Sequence, residues 1–285
     1  MYKHEFIEKY KKLVPEILSL ERDEEIFKII EQNQDIFLPI SKKLLKQIST
    51  GNASLVYQPQ LSNNKCSSCE ALSRFSIGDV PLSPAIAFLT ASYYGFEDKL
   101  TLTNLEQLCK DYKDLKNALG SNFIISYNIS PKIFNKDFCD KFYNLLEKYN
   151  INPKCIAIEL LEVSSFDDIK SNTISYAKSK GLPIYLDDFG SGYSNIDTLN
   201  KFSFDCVKFD GSLISGIDKD KKKQLYLKQI LEICKKRNIK TVAEKVETFE
   251  EAEICKHLGI DKIQGYYYSK PLSKNKFIDR YQKTY

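Results

Sequence analysis

Short β-rich runs alternate with longer helical runs after Asn52, and this rhythm constrains the fold more than any other feature of the chain. Helical stretches such as Phe138–Tyr149, Asp168–Lys180 and Lys223–Arg237 separate the β-rich runs. The eight predicted strands are Leu55–Leu61, Cys69–Phe75, Phe123–Ile129, Cys155–Leu161, Leu182–Phe189, Cys206–Asp210, Lys240–Val246 and Lys262–Tyr268. Such alternation predicts an α/β protein with a largely parallel sheet that is buried on both faces.

The number and spacing of these units narrow the fold class. A chain of 285 residues is long enough for two smaller domains, and a doubly wound open sheet would also alternate strands with helices. Eight units over about 230 residues fit a closed, modified TIM-type (β/α)8 barrel better. No glycine-rich phosphate loop follows any predicted strand, so a nucleotide-binding Rossmann or P-loop fold has no support.

The residues before the first predicted strand have a charged, helical pattern. Apolar residues recur near helical spacing at Phe6, Tyr10, Leu13 and Ile17. A further amphipathic helix is predicted over Ile40–Ile48, and it ends at the turn-forming residues 49–52. We therefore expect a short helical N-terminal extension over residues 1–38 and a barrel domain over residues 39–285.

Charge and hydropathy limit the classes of partner. The formal net charge is +4, from 42 basic and 38 acidic residues, which is too small an excess to indicate a nucleic-acid partner. The first residues, Met1–Lys12, lack the apolar run of a signal peptide. No run approaches the roughly 18 apolar residues of a membrane span. We therefore expect a cytoplasmic protein with no membrane segment.

The eight cysteines are scattered, and several lie inside apolar runs. This distribution is typical of reduced core thiols in a reducing compartment. Cys66 and Cys69 have the spacing of metal ligands, but a structural zinc site needs about four ligands. Both histidines, His4 and His257, are distant in sequence. A structural interpretation is therefore preferred for the cysteines.

Polar side chains occur in or near the ends of seven of the predicted strands. They are Glu70, Asn128, Glu159, Glu162, Asp187, Asp188, Lys208, Asp210, Glu244, Glu247 and Gln264. Because the C-terminal ends of barrel strands converge on one mouth, we expect these groups to face one another. Crowded carboxylates need a cation, and oxygen ligands suit Mg²⁺ or Mn²⁺, or Ca²⁺ as an inert occupant. Adjacent aspartates suit a bridge between two metals, an arrangement that serves phosphoester hydrolysis.

Each of these residues also has a plainer interpretation when it is taken alone. A strand-end acid is usually a helix cap or a solvated charge. Asp187 and Asp188 would then cap the turn at Phe189–Gly192, and Lys208 would be a buried ion-pair partner. The joint pattern favours a metal site, because the residues fall at corresponding places in successive units.

The same residues carry a resemblance to a known family. The chain resembles the EAL domain, the bacterial cyclic di-GMP phosphodiesterase fold, over roughly residues 40–275. The matching motifs occur in the family's order: Tyr57–Pro59, Glu70–Arg74, Asn128–Pro131, Glu159–Glu162, Asp187–Ser194, Lys208–Asp210, Ala243–Thr248 and Gln264–Tyr266. A single Glu-Ala-Leu triplet would carry no weight, whereas the full ordered set is highly specific.

This resemblance implies a modified TIM-type barrel and a metal-dependent, cyclic-guanylate-specific phosphodiesterase. Two Mg²⁺ or Mn²⁺ ions would assist in-line attack of water on phosphorus and convert cyclic di-GMP to linear pGpG, and Ca²⁺ would inhibit. The implied metal ligands are Glu70, Asn128, Glu159 and Asp187 for one ion, and Asp187, Asp188 and Glu244 for the second. The implied catalytic residues are Glu70, Asp188, Lys208 and Glu244.

The resemblance also implies roles for residues around the metals. The implied substrate-binding residues are Gln58, Leu72, Arg74, Asp210, Gln264 and Pro271. Glu162 would hold the loop of residues 188–195, which in such enzymes links the metals to the dimer interface. A homodimer formed through the barrel is therefore expected, with cyclic di-GMP as the small-molecule partner.

Some positions depart from the family pattern. Lys245 replaces a glycine, Gly211 stands where arginine is common, Leu161 replaces a threonine, and the segment Phe75–Phe96 matches poorly. These departures keep open a second hypothesis, an effector that binds cyclic di-GMP or a protein partner without turnover. A third hypothesis, an unrelated metal-dependent barrel enzyme such as an aldolase, has no dedicated support in the sequence.

Overall fold

A computed structural model describes residues 3–20, 22–161, 168–191 and 196–282. The chain forms two compact units. The helical unit comprises Met1–Leu55 and Ser73–Leu108, and the barrel unit comprises Val56–Leu72 and Cys109–Tyr285. These units are not divided at residue 38, because the helical unit also contains residues 39–55 and 73–108. The division into an extension of residues 1–38 and a barrel domain of residues 39–285 stays a prediction.

The elements follow the predicted alternation closely. The strands are β1 (Ser54–Ser62), β2 (Lys65–Ile77), β3 (Val80–Leu82), β4 (Ile124–Ile129), β5 (Ile156–Leu161), β6 (Ile184–Phe189), β7 (Cys206–Phe209), β8 (Lys240–Ala243), β9 (Lys262–Ile263) and β10 (Leu272–Ser273). The helices are α1 (Lys3–Leu18), α2 (Asp23–Gln32), α3 (Gln34–Thr50), α4 (Pro84–Tyr93), α5 (Glu97–Leu119), α6 (Lys136–Lys148), α7 (Asp168–Ser179), α8 (Ile196–Lys201), α9 (Gly211–Ile214), α10 (Lys221–Lys236), α11 (Phe249–Leu258) and α12 (Lys274–Tyr281).

Eight strands close into a barrel, which confirms the predicted α/β barrel class. Around the barrel the order is β1, β9, β8, β7, β6, β5, β4 and β2, and a β1–β2 pairing completes the ring. Neighbours from β2 to β9 are parallel, whereas β1 is antiparallel to β9. The direction of β1 departs from a fully parallel TIM barrel.

A two-residue turn explains the reversed first strand. Asn63 and Asn64 connect β1 to β2, and both have positive φ angles, 48° and 63°. Asparagine tolerates this left-handed backbone better than most residues, and two such residues form the tight turn of a β-hairpin. The turn therefore makes β2 run opposite to β1, and every later barrel strand follows the direction of β2.

The barrel interior changes from apolar to polar along the strands. Ala157, Tyr185, Cys206 and Val242 form one buried cluster, to which β5, β6, β7 and β8 contribute one residue each. Side chains two positions apart on a strand point to the same face. The next interior positions toward the C-terminal strand ends are therefore Glu159, Asp187, Lys208 and Glu244.

Two predicted strands are shorter in the structure by three residues or more. Strand β8 ends at Ala243 rather than Val246, and β9 is only two residues long, so Gln264 follows the eighth barrel strand instead of beginning it. The backbone amide of Gln264 donates to the Ala243 carbonyl at 2.8 Å, and the backbone amide of Val246 donates to the Gln264 carbonyl at 3.2 Å. The segments after β8 and β9 thus remain hydrogen-bonded at the barrel mouth, although they are no longer regular strands.

The helical unit has a hydrophobic core of its own. Residues predicted from helical spacing, including Phe6, Tyr10 and Ile17, are buried there with Ile36, Phe37 and Ile40 of α3. Helix α3 begins at Gln34 rather than Ile40 and contains Pro39, so the predicted boundary after residue 38 falls inside a helix. Helix α3 ends at Thr50 and is capped by Gly51, whose φ of 63° is the left-handed conformation that glycine adopts most easily.

Two further expectations concern the chain as a whole. All eight cysteines are free thiols, and seven of them are buried. Among the helices of the described ranges, none combines the length and the apolar character that a membrane crossing requires.

Candidate active site

The Lys208 ammonium lies among four carboxylates at the C-terminal ends of the barrel strands. Its Nζ atom is 2.8 Å from Glu159 Oε2, 2.8 Å from Glu244 Oε1, 2.9 Å from Asp187 Oδ1 and 3.3 Å from Glu70 Oε2. The lysine is completely buried, with 0% exposure. Strands β2, β5, β6 and β7 and the residue after β8 thus bring five predicted site residues to one point.

One lysine is too little positive charge for these acids. Burial, partly offset by Lys208 and reinforced by the neighbouring carboxylates, raises the pKa of Glu159 well above its usual range. Burial and the Asp187 and Glu70 charges likewise raise the pKa of Glu244 to about 8, although Lys208 opposes the shift. Burial alone would lower the pKa of Lys208, but the four carboxylates outweigh it and raise that pKa well above the usual value.

Glu70 differs from these acids because two amides hold it. Asn128 Nδ2 donates to Glu70 Oε1 at 2.7 Å, and Gln264 Nε2 donates to Glu70 Oε2 at 2.5 Å. Burial raises the pKa of Glu70, but the Lys208 charge and the Gln264 hydrogen bond outweigh burial and lower it. Glu70 is therefore held as a carboxylate, with its orientation fixed from both oxygens.

A hydrogen-bond chain orients Gln264, and its other members, Gln60, Ser68 and Lys262, were not predicted as site residues. Gln60 Nε2 donates to Gln264 Oε1 at 2.9 Å, Ser68 Oγ donates to Gln60 Oε1 at 2.7 Å, and Lys262 Nζ donates to Ser68 Oγ at 2.8 Å. Because the Gln264 oxygen accepts from Gln60, its amide nitrogen is the group left to bond Glu70. Gln60 and Ser68 were recognisable only as residues two positions from Gln58 and Glu70, on the same strand faces.

The acids form two groups that share Asp187. Oxygen atoms of Glu70, Glu159 and Asp187 lie within 4.8 Å of one another, and so do those of Asp187, Asp188 and Glu244. Glu159 Oε1 is buried, and no residue in the described parts of the chain hydrogen-bonds it. Buried carboxylate oxygens that lack donors are costly unless a cation meets them. The donor set is all oxygen, which fits a hard divalent cation such as Mg²⁺ or Mn²⁺.

Backbone geometry explains how adjacent aspartates reach the same site. Consecutive strand residues normally point to opposite faces of the sheet. Asp188 has a positive φ of 53°, and the β6–β7 register shifts between Leu186 and Phe189. This irregularity turns Asp188 toward the second group. Burial and the neighbouring Asp187 raise the pKa of Asp188.

Lys245 follows Glu244 and pairs with two acids. Its ammonium contacts the Asp210 carboxylate and lies 3.6 Å from Asp188 Oδ1. Asp210 also caps the short helix α9 by accepting from the Ser212 amide at 2.8 Å. Burial would raise the pKa of Asp210, but Lys245 and the Ser212 amide outweigh it and lower the pKa to about 2. In this arrangement Asp210 therefore pairs with Lys245 and caps α9.

A pocket of about 480 Å³ opens over the acids. Its lining residues are Gln58, Glu70, Leu72, Asp187, Asp188, Glu244, Lys245, Glu247, Gln264, Gly265 and Tyr266. Three predicted substrate-binding residues, Gln58, Leu72 and Gln264, are among them. Tyr266, for which no individual role was predicted, is 56% exposed and presents an aromatic ring at the pocket edge.

Among the described residues that line the pocket, three predicted substrate-binding residues are missing: Arg74, Asp210 and Pro271. Arg74 belongs to the helical unit and donates from Nη1 to the Ser73 carbonyl at 2.9 Å. Pro271 directly precedes β10 and is half-buried, and it is not one of the described residues that line the pocket. Glu162 lies outside the described residues. Their predicted contacts with substrate or with the loop of residues 188–195 stay predictions.

Comparisons with known proteins identify the family. The family model of the EAL domain matches residues 41–271 of the chain. The chain is 31% identical over 241 residues to the Escherichia coli K12 protein named "Probable cyclic di-GMP phosphodiesterase PdeB". The aligned region covers 83% of this chain and 46% of that protein. It spans 30–46% of the length of three curated relatives.

Two solved structures have the same fold. The EAL enzyme Bd1971, in a form with cAMP and cyclic di-GMP bound, has a TM-score of 0.78 and 24% identity, over 95% of this chain and 79% of that chain. Klebsiella pneumoniae BlrP1, in a calcium and cyclic di-GMP complex, has a TM-score of 0.70 and 25% identity, over 78% of this chain and 56% of that chain. With the family match over most of its length, the chain belongs to the EAL domain family.

Proposed function

We propose that the chain is a phosphodiesterase that uses divalent cations to hydrolyse one ester bond of cyclic di-GMP and release linear pGpG. The observation that carries this proposal is the pair of acidic groups that share Asp187 beneath an open pocket. Two relatives support cyclic di-GMP as the substrate, since PdeB is named a probable cyclic di-GMP phosphodiesterase and BlrP1 was solved in complex with this nucleotide.

The chain's oxygen ligands would hold two Mg²⁺ or Mn²⁺ ions. Glu70, Glu159 and Asp187, with the Asn128 amide oxygen, would hold one ion, and Asp187, Asp188 and Glu244 would hold the other. Bound there, divalent cations supply Lewis acidity toward phosphoryl oxygens and make water more acidic. Ca²⁺ accepts more ligands with looser geometry, and we expect it to occupy the site and inhibit turnover.

Lys208 and Gln264 would fix the geometry of these ligands. The buried ammonium contacts Glu159, Asp187 and Glu244 at 2.8–2.9 Å, so it keeps carboxylates from three strands at one point. It also adds positive charge where a phosphoryl group would gain negative charge. Gln264 orients Glu70 through a hydrogen bond that is itself fixed by Gln60.

Residues of the pocket wall would bind the nucleotide. Gln58 and Leu72 line the pocket beside Glu70, and Tyr266 offers an exposed ring on which a guanine base could stack. Arg74, Asp210 and Pro271 are kept in the proposal as substrate-binding residues on the basis of the motifs. A homodimer through the barrel and a loop held by Glu162 are further proposals with the same basis.

The first experiment incubates purified protein with cyclic di-GMP and Mn²⁺ and measures pGpG by chromatography. Wild-type protein should form pGpG, and the variants Asp187→Asn and Glu70→Ala should lose at least about a hundredfold in rate. Asp137→Asn is the matched control, because Asp137 is an acid on α6 that pairs with Lys141 at 2.7 Å on the surface. Undiminished hydrolysis by Asp187→Asn at equal metal would refute the site assignment.

A second candidate function is an effector that binds cyclic di-GMP without hydrolysing it. The observation that favours it is the Lys245 ammonium near Asp188, since a fixed cation opposes a metal at that acid. The same experiment separates the two functions when binding is measured in parallel by calorimetry. Binding without pGpG in the presence of Mn²⁺ would select the effector.

A further inference from the structure

Lys245 is a non-glycine residue in a left-handed backbone conformation. Its φ angle is 54°, and it directly follows the candidate ligand Glu244. Such a conformation is strained for a residue with a Cβ atom and recurs at functional sites. The conformation sends the side chain back over the start of α9 rather than away from the barrel mouth.

Gly211 makes room for the lysine stem. A Cβ atom at position 211 would lie 2.7 Å from Lys245 Cδ and 2.8 Å from Lys245 Cβ, distances that side chains do not adopt. The φ angle of Gly211 is not in the left-handed region, so space rather than backbone conformation requires glycine there. Gly211 and Lys245 therefore form a matched pair, although 34 positions separate them in sequence.

The position of the ammonium follows from this packing. Lys245 Nζ contacts the Asp210 carboxylate, whose own position is fixed by its hydrogen bond to the Ser212 amide. From there it lies 3.6 Å from Asp188 Oδ1. The lysine side chain is 62% exposed, yet its charged end faces the acids at the pocket and not only solvent.

The two acidic groups consequently differ in their electrostatic surroundings. Lys208 contacts members of both groups, including the shared Asp187, so it does not distinguish them. Lys245 contacts Asp188, which belongs only to the second group. Charges a few ångströms apart at a partly buried site are screened little by salt. A divalent cation at the second group would be repelled by the Lys245 ammonium.

We propose that Lys245 is a positioning residue that makes the two cation sites unequal in affinity. The group Glu70, Glu159 and Asp187 binds the first divalent cation tightly. The group Asp187, Asp188 and Glu244 binds the second weakly, because Lys245 already neutralises part of the charge of Asp188. The inference rests on the proposed cation sites, but it concerns binding and not hydrolysis, so it is tested without substrate.

The test titrates Mn²⁺ into metal-free protein by isothermal calorimetry. In Lys245→Met the stem over Gly211 is retained and the charge is removed, so we expect the second Mn²⁺ to bind at least about tenfold more tightly, equivalent to about 1.4 kcal/mol. The first Mn²⁺ should bind with unchanged affinity. Lys245→Arg keeps the charge and should resemble the wild type.

Lys240→Met is the matched control, because Lys240 is also a partly exposed lysine on the β8 segment and pairs with Asp261 at 2.8 Å at the opposite end of the strand. It should leave both affinities unchanged. Unaltered second-site affinity in Lys245→Met, or equal tightening of both sites, would overturn the inference. Weaker second-site binding would also overturn it. Circular dichroism establishes that each variant is folded.

This result is separable from the proposed function. If Lys245→Met tightens the second site but no variant releases pGpG, the inequality of the sites stands and hydrolysis fails. If wild-type protein releases pGpG and Lys245→Met shows no change in Mn²⁺ binding, hydrolysis stands and the inference fails.

Discussion

At the scale of single residues, Lys208 decides whether the acidic mouth of the barrel is stable without metal. It is the only side chain with an ammonium in contact with Glu159 and Glu244 among the described residues, and all three side chains are buried. A buried ion pair adds little net stability as a pair, but removing one partner leaves the other charges uncompensated. We therefore expect Lys208 to be required for the stability of the fold, independently of any role in catalysis.

Lys208→Met should destabilise the metal-free protein by about 3–5 kcal/mol, because four carboxylates lose their buried counter-charge. Urea denaturation in the presence of a chelator measures the change in the free energy of unfolding. Lys141→Met is the control, since Lys141 pairs with Asp137 at 2.7 Å on the surface and its loss should cost about 1 kcal/mol or less. A loss below 1 kcal/mol for Lys208→Met would contradict the structural role.

At the scale of elements, the start of α11 anchors the segment that carries Glu244 and Lys245. Thr248 Oγ accepts from the Glu251 amide at 3.2 Å, while Glu251 Oε2 accepts from the amides of Glu247 and Thr248 at 3.0 and 3.2 Å. Glu251 Oε1 also accepts from the Gly216 amide at 2.9 Å. This capping box holds the chain that leaves β8 against the loop after α9.

Glu251→Gln should lower stability by about 1.5–3 kcal/mol near neutral pH, because charge-assisted hydrogen bonds to backbone amides are replaced by weaker ones. Burial would raise the pKa of Glu251, but the three amide donors outweigh it and lower the pKa. A lowered folded-state pKa means that the contribution is complete above the ordinary glutamate pKa, about 4.3, and is lost as pH falls through the folded-state value.

The measurement is therefore urea denaturation of both proteins across the acidic range. The difference in unfolding free energy between wild type and Glu251→Gln should be constant above about pH 5 and shrink toward more acidic pH. A difference that grows on acidification would show that the sign of the pKa shift is wrong.

At the scale of the whole molecule, cation binding should couple to folding. The ligands come from β2, β5, β6 and the residue after β8, so they meet only in the closed barrel. A ligand that binds the folded state and not the unfolded chain stabilises the fold by mass action. We therefore expect the stability of the barrel to depend on divalent cations.

Mn²⁺ at a hundredfold excess over its dissociation constant should add about 2.7 kcal/mol to the unfolding free energy and raise the thermal midpoint. A chelator should reverse the gain. Thermal unfolding followed by circular dichroism measures both, with Asp187→Asn as the comparison, because both acidic groups share that residue. Equal stabilisation of Asp187→Asn by Mn²⁺ would place the cation elsewhere.

Local patterns in the sequence predicted the elements well because each residue reports its own environment. The spacing of apolar residues located α6, α7 and α10 to within two residues, and β4 and β5 to within one. The site acids were recognisable because a carboxylate at the end of a buried strand conflicts with burial. The predicted ends of β8 and β9 were wrong, because backbone hydrogen bonds of Gln264 with Ala243 and Val246 determine where these strands end.

The sequence by itself determined the barrel class, the acids that gather at its mouth and the family to which the chain belongs. Only the tertiary structure showed that Lys208 sits among four acids, that Gln60 fixes Gln264 across 204 positions, and that Gly211 accommodates Lys245. The physical reason is that periodicity records burial along one segment. The partner of each buried charge is set by distances between strands, which no local pattern contains.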